Sequence, residues 1–383
     1  MQGADLMRVD LSLKVDIQRS ARVAQVEGMF DVPEKKMSAV EYHFDVPLEE
    51  RSWQVGLVVG PSGAGKSSVA RALFGDKLVE GYAWEHGRAV VDGFGPMPIK
   101  DVVGALSAVG FASPPSWLKP YHVLSNGEKF RVNLARAIAD PAPLVAVDEF
   151  SSVVDRQVAR IGAHATAKAV RAKPGKQFVA VTCHEDVLEW LQPDWVLEPH
   201  IGQFSWRSPQ RRPTVELEIV RTTTEAWRWF AAHHYLSADL NRVSKCFLGL
   251  VDGDVAAFAA LLPSPHPIAK NIWRVHRVVV RPDYQGLGLG AHAFTGALGR
   301  VCRAVGKRMT ITTSHPALVR AWAKSSEWKM TAAPALGKSH GVKALMRDTA
   351  TRRRVASFEY VGPAFAGDEG ARARTMWQAK TAQ

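Results

Sequence analysis

The sequence predicts an α/β protein with two successive domains. At roughly 150 residues per domain, its 383 residues are enough for two or three domains. Before residue 205, apolar runs of strand length alternate with helix-length segments, which is typical of a parallel sheet (Val55–Val59, Leu144–Val147, Phe178–Val181). A Pro- and Arg-rich segment follows, and it predicts a linker. We expect a first domain over 1–204, a linker over 205–214, a second domain over 215–365 and a basic flexible tail over 366–383.

The second domain begins with a pattern of paired strands. Phe247–Val251 and Val255–Leu262 flank an Asp-Gly-Asp turn at 252–254, which predicts a hairpin. Trp273–Val280 and Met309–Thr313 predict two further strands, and the stretch 291–305 between them predicts a helix.

Composition excludes several classes of protein. The chain is 46% hydrophobic and 22% charged, as expected for a folded protein and not for a disordered one. No apolar window reaches the ~18 residues of a membrane span, and the first residues carry acids where a signal peptide needs apolar ones. We therefore expect a cytoplasmic protein with no membrane partner. The three cysteines form no CxxC pair, which argues against a disulfide framework or a thiolate zinc site.

The charge is distributed unevenly along the chain. The formal net charge is +12, yet residues 205–383 alone contain 27 Lys and Arg against 12 Asp and Glu. A basic second half predicts contact with a polyanion such as nucleic acid, and a basic surface kept for solubility is the alternative. The expected phosphate contacts are Arg211, Arg212, Lys245, Arg352, Arg353 and Arg354.

A phosphate loop, GPSGAGKS, follows the strand Val55–Val59. Its glycines let backbone N–H groups turn toward phosphates at a helix N-terminus, Lys66 reaches the β and γ oxygens, and the Ser67 hydroxyl can ligate Mg²⁺. The residues assigned to the nucleotide here are Gly60, Gly63, Gly65, Lys66, Ser67 and Ser68.

Two acids end the buried strand Leu144–Val147. Asp148 is expected in the Mg²⁺ shell, and Glu149 is placed to polarise the attacking water. The sequence thus predicts nucleotide hydrolysis at the carboxyl edge of the first sheet.

The segment Leu124-Ser-Asn-Gly-Glu128 lies between these motifs, and with it the chain resembles the ABC ATPase superfamily over roughly residues 40–200. LSxGE is the signature of that superfamily, and Asp148-Glu149 followed by Ser152-Val-Val-Asp155 is similar to its Walker B motif and D-loop. His184 matches its switch histidine. The resemblance implies ATP as the nucleotide, with Ser125 and Gly127 completing the site of an opposing subunit in a head-to-tail homodimer.

The chain also departs from that superfamily. It has no Gln between Ser67 and Val153, so the usual Q-loop glutamine is missing. Adenine stacking could involve Tyr42 or Phe44, and each fits a strand core equally well. Without a transmembrane domain, the soluble ABC ATPases of DNA repair and translation are a closer analogy than transporters.

A second glycine-rich turn follows the strand that contains Val278 and Val280. It fits Q/R-x-x-G-x-G/A, in which N–H groups at a helix start surround a pyrophosphate. The acidic ribose ligand that a dinucleotide fold would place about 20 residues later is absent. The segment resembles motif A of the GNAT acetyltransferases, and the likeness covers about 216–362. It implies acetyl-CoA on Gln285, Gly286, Gly288, Gly290 and Ala291, and a strand N–H near Val280 that polarises the thioester.

The sequence offers several candidates for the acid and base of acetyl transfer. Many GNAT relatives protonate the thiolate with a tyrosine on the helix after the fifth strand, where this chain has tryptophan. Tyr235, Tyr284, His276 and His315 are the alternatives, each also compatible with a structural role, and we assign Tyr235 and His315. The run His233-His-Tyr-Leu-Ser237 is similar to a motif of the GNAT-like phage Mom DNA-modification proteins, and packing explains it equally well.

Together these features predict an ABC-type ATPase domain followed by a GNAT-fold acyltransferase domain. The expected function is ATP-dependent acetyl transfer from acetyl-CoA to a nucleic-acid acceptor, with a base amine as the target. One alternative is a protein or small-molecule amine acceptor. Another is a nucleic-acid-binding ATPase whose GNAT domain is not catalytic.

Overall fold

The computed structural model describes residues 7–34, 37–208, 210, 213–234, 239–336 and 354–379. The strands are β1 (Met7–Asp16), β2 (Met37–Val46), β3 (Val55–Val59), β4 (Leu78–Val79), β5 (Leu144–Val147), β6 (Gln177–Thr182), β7 (Trp195–Glu198), β8 (Gln203–Trp206), β9 (Leu217–Thr222), β10 (Lys245–Val251), β11 (Asp254–Pro263), β12 (Ile272–Val280), β13 (Arg308–Thr313), β14 (Trp328–Leu336) and β15 (Arg354–Tyr360). The α-helices are α1 (Ala21–Phe30), α2 (Lys66–Phe74), α3 (Ile99–Ala108), α4 (Pro114–Trp117), α5 (Asn126–Ala139), α6 (Arg156–Arg171), α7 (Leu188–Leu191), α8 (Phe294–Ala304), α9 (Pro316–Ala323) and α10 (Gly367–Gln378).

The chain forms two compact units, and each is assembled from separate stretches. The first contains residues 1–82, 140–153 and 170–211, and the second contains 83–139, 154–169 and 212–383. The predicted boundary at 205–214 therefore coincides with only one of the places where the chain passes between units. Helices α3 to α5 and most of α6 belong to the second unit, together with the strands β9 to β15.

The first unit is built on a six-stranded sheet of order β4-β5-β6-β3-β7-β8. The first five of these strands are parallel, and β8 pairs antiparallel with β7. Every residue of β3 is buried, as expected for a strand covered on both faces. β1 and β2 form a separate antiparallel pair. The predicted strands at Val55–Val59 and Leu144–Val147 are confirmed, and the third extends one residue further at each end.

The predicted linker starts too early. Ser205 and Trp206 belong to β8, where Trp206 pairs with Trp195. The ring centroids of Phe204 and Trp206 lie 5.4 Å apart in an edge-to-face contact. These aromatic side chains give the segment an apolar surface to bury, and this outweighs the prolines and arginines that follow.

The second unit is built on a seven-stranded sheet of order β14-β15-β13-β12-β11-β10-β9. Its strand pairs are antiparallel except for β12 with β13. The predicted hairpin is confirmed as β10–β11, and its turn residues Asp252 and Gly253 adopt φ of 51° and 89°. The strands predicted at Trp273–Val280 and Met309–Thr313 are β12 and β13, each one residue longer at its start.

The expected flexible tail is wrong over most of its length. Residues Gly367–Gln378 form α10, in which Trp377 is 7% exposed. Its ring lies 4.8 Å from that of Trp273 and 5.9 Å from that of Phe247. A single large aromatic residue thus anchors a stretch whose small and basic residues indicate a loose end.

Within the part of the chain that the structure describes, no helix combines the length and the apolar character needed to cross a bilayer.

Candidate active sites

The phosphate loop connects β3 to α2. Gly63 and Gly65 adopt left-handed φ of 79° and 71°, which glycine reaches without strain. Gly65 is the N-cap of α2 and supplies no side-chain hydrogen bond, so the first N–H groups of the helix have neither a side-chain cap nor a partner within the helix and suit an anion. Lys66 donates from Nζ to the Pro61 carbonyl oxygen at 2.7 Å, folded over the loop. This geometry fits a phosphate chain held by backbone donors and one lysine.

Tyr42 lies beneath this loop. Its side chain is 7% exposed, and its hydroxyl and ring carbons fill the space that a β-carbon on Gly65 would enter. The core interpretation of Tyr42 is therefore correct, and its ring is not available to stack on adenine. Phe44 is half-buried and packs beside Gly202.

Asp148 and Glu149 point into different environments at the end of β5. Asp148 is 9% exposed, and its Oδ1 accepts the Glu149 N–H at 2.9 Å. Glu149 is exposed and adopts a φ of 51°, an uncommon conformation for a residue with a side chain. The next residue, Phe150, is buried and donates its N–H to the Val181 carbonyl at 2.8 Å. This anchor holds Glu149 at the surface, next to a buried carboxylate.

Three strands bring the first-unit motifs to one edge. The order β5-β6-β3 makes β6 the neighbour of both others, and all three are parallel. The phosphate loop, the Asp148-Glu149 pair and His184 each follow the carboxyl end of one of these strands, the usual place for a ligand in such a sheet. His184 is half-buried, and its N–H donates to Thr182 Oγ1 at 3.2 Å.

The signature motif starts α5 in the second unit. Glu128 Oε2 accepts the Ser125 N–H at 3.0 Å, and Ser125 Oγ accepts the Glu128 N–H at 3.3 Å. This reciprocal pair is a capping box. Ser116 Oγ donates to the other carboxylate oxygen of Glu128 at 2.7 Å. Ser125 remains exposed at the start of the helix, and Gly127 is packed against Val158.

The second glycine-rich turn joins β12 to α8. Gly286 and Gly288 adopt φ of 109° and 82°, and a π-helical turn over Leu289–Ala293 runs into α8. A β-carbon on Gly288 would meet no atom within 4 Å, so that side of the turn is open. The turn lacks a side-chain N-cap, and its first N–H groups have no partner within the helix. The open face and backbone donors fit a pyrophosphate.

Gln285 has a bracing role in this turn. Its side chain donates from Nε2 to the Val280 carbonyl at 3.0 Å and accepts the Ala112 N–H on Oε1 at 2.9 Å. Both polar groups are therefore bonded within the protein, so any contact to a cofactor here falls to the backbone.

Beside the turn, β12 separates from β13. The two strands pair only over Ile272–Arg274 with Arg308–Thr310, whereas Val278 and Val280 pair with Ala259 and Ala257 of β11 on the other side. Among the residues that the structure describes, the β13-facing edge of β12 therefore has no pairing partner beyond Arg274. This leaves a backbone edge near Val280 on which a thioester carbonyl could be aligned.

His276 occupies a bulge in β12. The register shifts there, because Arg277 pairs with Ala260 and Val275 pairs with Leu261, which leaves His276 unpaired. Burial, followed by the charges of Arg277 and Arg274, lowers the pKa of His276 to about 4. The ring is therefore neutral at ordinary pH. The sequence names His276 only as an alternative, since a bulge leaves no local signal.

The structure gives little support to the residues assigned to acid–base chemistry. Tyr235 lies outside the described residues. His315 precedes α9, and both of its ring nitrogens are buried. Its ring centroid lies 5.9 Å from that of Trp117. Burial lowers the pKa of His315, against the opposing effect of the Ala112 carbonyl. This enclosure favours a structural role for His315.

Two other aromatic residues have structural roles here. Tyr284 is 3% exposed and bonds Gln157, and burial raises its pKa. Trp322 donates its indole N–H to the Ala291 carbonyl at 2.6 Å. In the run that follows β9, the ring of His234 contacts that of Trp227 at 5.6 Å, as the packing interpretation expects.

Comparison with known proteins agrees with both sets of motifs. Residues 186–324 match the model of the acetyltransferase (GNAT) family. The hemin import ATP-binding protein HmuV of Streptomyces coelicolor is 29% identical over 153 residues, covering 29% of this chain and 53% of that protein. The cytochrome c biogenesis ATP-binding export protein CcmA of Rhodospirillum rubrum is 32% identical over 162 residues, covering 34% of this chain and 68% of that protein. The chain thus spans about half the length of the first relative and two thirds of the second.

Solved structures give weaker likenesses. The dimeric, post-hydrolysis ATP-binding cassette MJ0796 bound to ADP and Pi shares 14% identity at a TM-score of 0.36, covering 45% of this chain and 93% of that one. A bacterial Atm1-family ABC exporter with ATP bound shares 19% identity at a TM-score of 0.33, covering 44% and 34%.

Proposed function

The chain belongs to the ABC ATPase family and also contains a GNAT acetyltransferase domain, and from this premise we propose that ATP controls acetyl transfer from acetyl-CoA to an amine on nucleic acid. The observation that carries the proposal is the pairing of two phosphate-binding turns in one chain. One is the loop at Gly60–Ser67 and the other is the open turn at Gly288. Each presents backbone donors at a helix start, and each is followed or flanked by groups suited to its own reaction.

The first unit supplies the groups for ATP hydrolysis. Backbone donors of the loop and Lys66 bind the phosphates, while Ser67 and the free oxygen of Asp148 would hold Mg²⁺. The ion neutralises charge on the transferred phosphoryl group when it is bound. Glu149 is exposed beside this site and orients the attacking water. His184 contacts the γ-phosphate.

The signature motif of one subunit completes the ATP site of the opposing subunit. Ser125 is exposed at the start of α5, where the capping box holds it at the positive end of the helix dipole. A γ-phosphate from an opposing subunit fits that position. We therefore infer a head-to-tail homodimer that forms around two ATP molecules, because one chain contains one loop and one signature motif.

The second unit supplies the groups for acetyl transfer. Acetyl-CoA brings an activated thioester, whose carbon bonds the acceptor nitrogen as the C–S bond breaks. Backbone N–H groups of Gly288, Gly290 and Ala291 hold the pyrophosphate, and the free edge of β12 aligns the carbonyl. Neutral His276 takes the proton that the amine releases, and water returns a proton to the sulfur.

The nucleic-acid acceptor rests on charge. Arg354 is exposed at the start of β15, whereas Arg211, Arg212, Arg352 and Arg353 lie outside the described residues. Lys245 is not a free phosphate contact, because its Nζ donates to the Trp377 carbonyl at 3.0 Å and burial lowers its pKa. The support therefore comes from the excess of basic residues in the second half and from Arg354.

Labelled acetyl-CoA tests the proposal directly. Purified protein is incubated with MgATP, acetyl-labelled coenzyme A and total cellular nucleic acid, which is then digested to nucleosides. We expect an acetyl label on one nucleoside, and we expect this labelling to require both ATP and the protein. Label confined to protein or small molecules would refute the nucleic-acid acceptor while leaving acetyl transfer in place.

A further inference from the structure

The turn proposed for acetyl-CoA packs against two other segments of the second unit, the segment that follows α3 and the helix α6. The 2.9 Å hydrogen bond from the Ala112 N–H to Gln285 joins the turn to the segment after α3. On its other side, a β-carbon on Gly286 would lie 3.3 Å from Ala165 and 3.4 Å from Ile161, both on α6. α6 begins directly after Asp155, the last residue of the proposed D-loop. The turn therefore contacts both the segment after α3 and the helix that follows the proposed D-loop.

Gly110 brings two backbones into direct contact. It adopts a φ of 82°, and a β-carbon there would collide with the carbonyl group of Gln285 and lie 3.1 Å from the Gly286 Cα. Backbone atoms cannot rotate away as side chains can. A displacement of Gly110 must therefore be matched by the turn, because close-packed interiors transmit strain.

Arg131 is a buried charge on α5, the helix that begins at the signature motif. It lies on α5, six residues after Ser125, and is 1% exposed. Its Nε and Nη2 have no hydrogen-bond partner among the described residues. Burial lowers its pKa, while Asp283, Asp155 and Glu128 act in the opposite direction. A buried and incompletely bonded cation is sensitive to small shifts of the acids around it, and Asp283 is two residues from Gln285.

We propose that engagement of the signature motif by ATP and binding of acetyl-CoA are energetically coupled through this seam, made of Gly110, Ala112, Arg131, Ile161, Gln285 and Gly286. The proposal rests on the function proposed above. A γ-phosphate bound at Ser125 fixes the start of α5, which carries Arg131. The seam passes that constraint to the turn, so that the acetyl-CoA affinity depends on the nucleotide state. By thermodynamic linkage, acetyl-CoA must then change the affinity for the nucleotide by the same factor.

Calorimetry on the full-length protein measures the coupling. Acetyl-CoA is titrated with and without saturating Mg²⁺ and the non-hydrolysable analogue AMP-PNP, and the nucleotide is titrated with and without acetyl-CoA. We expect each ligand to change the Kd of the other by at least about fivefold, and by the same factor. If both ligands bind and neither affects the other, the inference is overturned and the proposed function stands. If either ligand fails to bind, the proposed function itself fails.

A matched pair of glycine variants locates the coupling. Gly87 has a φ of 80°, close to that of Gly110, and a β-carbon there would meet no atom within 4 Å. Gly110→Ala and Gly87→Ala thus carry similar backbone strain, yet only the first intrudes on the turn. We expect Gly110→Ala to alter the coupling factor by at least threefold and Gly87→Ala to retain it. Equal coupling in both variants would refute a route through Gly110.

A second variant decides the question if Gly110→Ala does not fold. Arg131→Met keeps most of the side-chain volume and removes a buried cation whose Nε and Nη2 have no hydrogen-bond partner among the described residues. We expect it to melt cooperatively, bind acetyl-CoA and AMP-PNP, and show less than about twofold coupling. Full coupling in Arg131→Met would exclude the charge as part of the seam.

Discussion

Trp322 donates its indole N–H to the carbonyl oxygen of Ala291 at 2.6 Å, and so ties α9 to the turn proposed for acetyl-CoA. The Trp322 ring is fully buried and stacks on Trp328 at a centroid distance of 4.8 Å. Trp322 therefore supports the turn, and its indole N–H is already bonded to Ala291.

Trp322→Phe should therefore weaken acetyl-CoA binding and stability together. The variant leaves the Ala291 carbonyl without its donor and creates a small cavity, which we expect to cost about 1–3 kcal/mol in the free energy of unfolding. Acetyl-CoA should bind about fivefold more weakly. Trp229→Phe, at a ring that is 50% exposed, is the control and should change neither quantity. Denaturant unfolding and calorimetry give the two values, and unchanged affinity in Trp322→Phe would contradict the supporting role.

Glu149→Gln should trap the ATP-bound dimer. It removes the carboxylate that orients water and keeps Asp148 for Mg²⁺, so hydrolysis should fall by about 10²–10⁴-fold while ATP still binds. Sedimentation with MgATP should show a dimer in this variant and a monomer without nucleotide. Glu189→Gln, another exposed glutamate of the first unit, should hydrolyse ATP normally. A monomer at saturating ATP with full ATPase activity would refute the sandwich.

Gly288→Val should abolish acetyl-CoA binding. A side chain there would occupy the open side of the turn, at a φ of 82° that also strains valine. Gly306→Val is matched to it, because Gly306 has a φ of 69° and equally open surroundings. We expect both variants to lose about 1–3 kcal/mol of stability, and only the first to lose binding by calorimetry. Retained binding in Gly288→Val would mean that the donor site lies elsewhere.

Acetyl transfer should depend on pH through His276. Because the pKa of His276 is lowered from 6.5 to about 4, its neutral form persists across ordinary pH. The rate of label transfer should be level above pH 5 and fall as pH approaches 4. The free energy of unfolding should also fall as the pH drops from about 6.5 to about 4. In that range the unfolded chain binds a proton at His276 and the folded chain does not. His276→Asn should reduce transfer about 10²-fold or more and leave the Kd of acetyl-CoA unchanged. Wild-type transfer in His276→Asn would exclude it as the base.

Binding to nucleic acid should weaken with salt. Each phosphate neutralised on duplex DNA contributes roughly −0.9 to the slope of log K against log salt. Replacing Arg352, Arg353 and Arg354 together by Ala should flatten the slope by about 2–3, for all sequences alike. Lys245→Ala should leave the slope unchanged, because that ammonium group is bonded to Trp377. Fluorescence anisotropy measures both, and an unchanged slope in the triple variant would favour a protein or small-molecule acceptor.

Sequence patterns predict the parts of these sites that depend on local backbone chemistry. The glycines at 63, 65, 286 and 288 have positive φ, and an apolar run lies at the end of the strand before each turn, at Val55–Val59 and at 278–280. Contacts between distant residues leave no such pattern. Gln285 bonds Ala112 across 173 positions, and the bulge at His276 depends on the register with β11. The anchoring of α10 by Trp377 similarly depends on Phe247 and Trp273.

The second unit is assembled from separate stretches of the chain, and this limits how the protein can be synthesised and truncated. Ile161 belongs to the same buried cluster as Phe247 and Tyr284, although a ribosome completes Ile161 long before either of them. The apolar faces of the signature-region helices thus leave the exit tunnel before the sheet that covers them exists. An expression clone that ends near residue 210 would keep those faces uncovered and should aggregate. A C-terminal clone that starts there would lack part of its own core, so the two halves should be recovered in soluble form only when they are synthesised together.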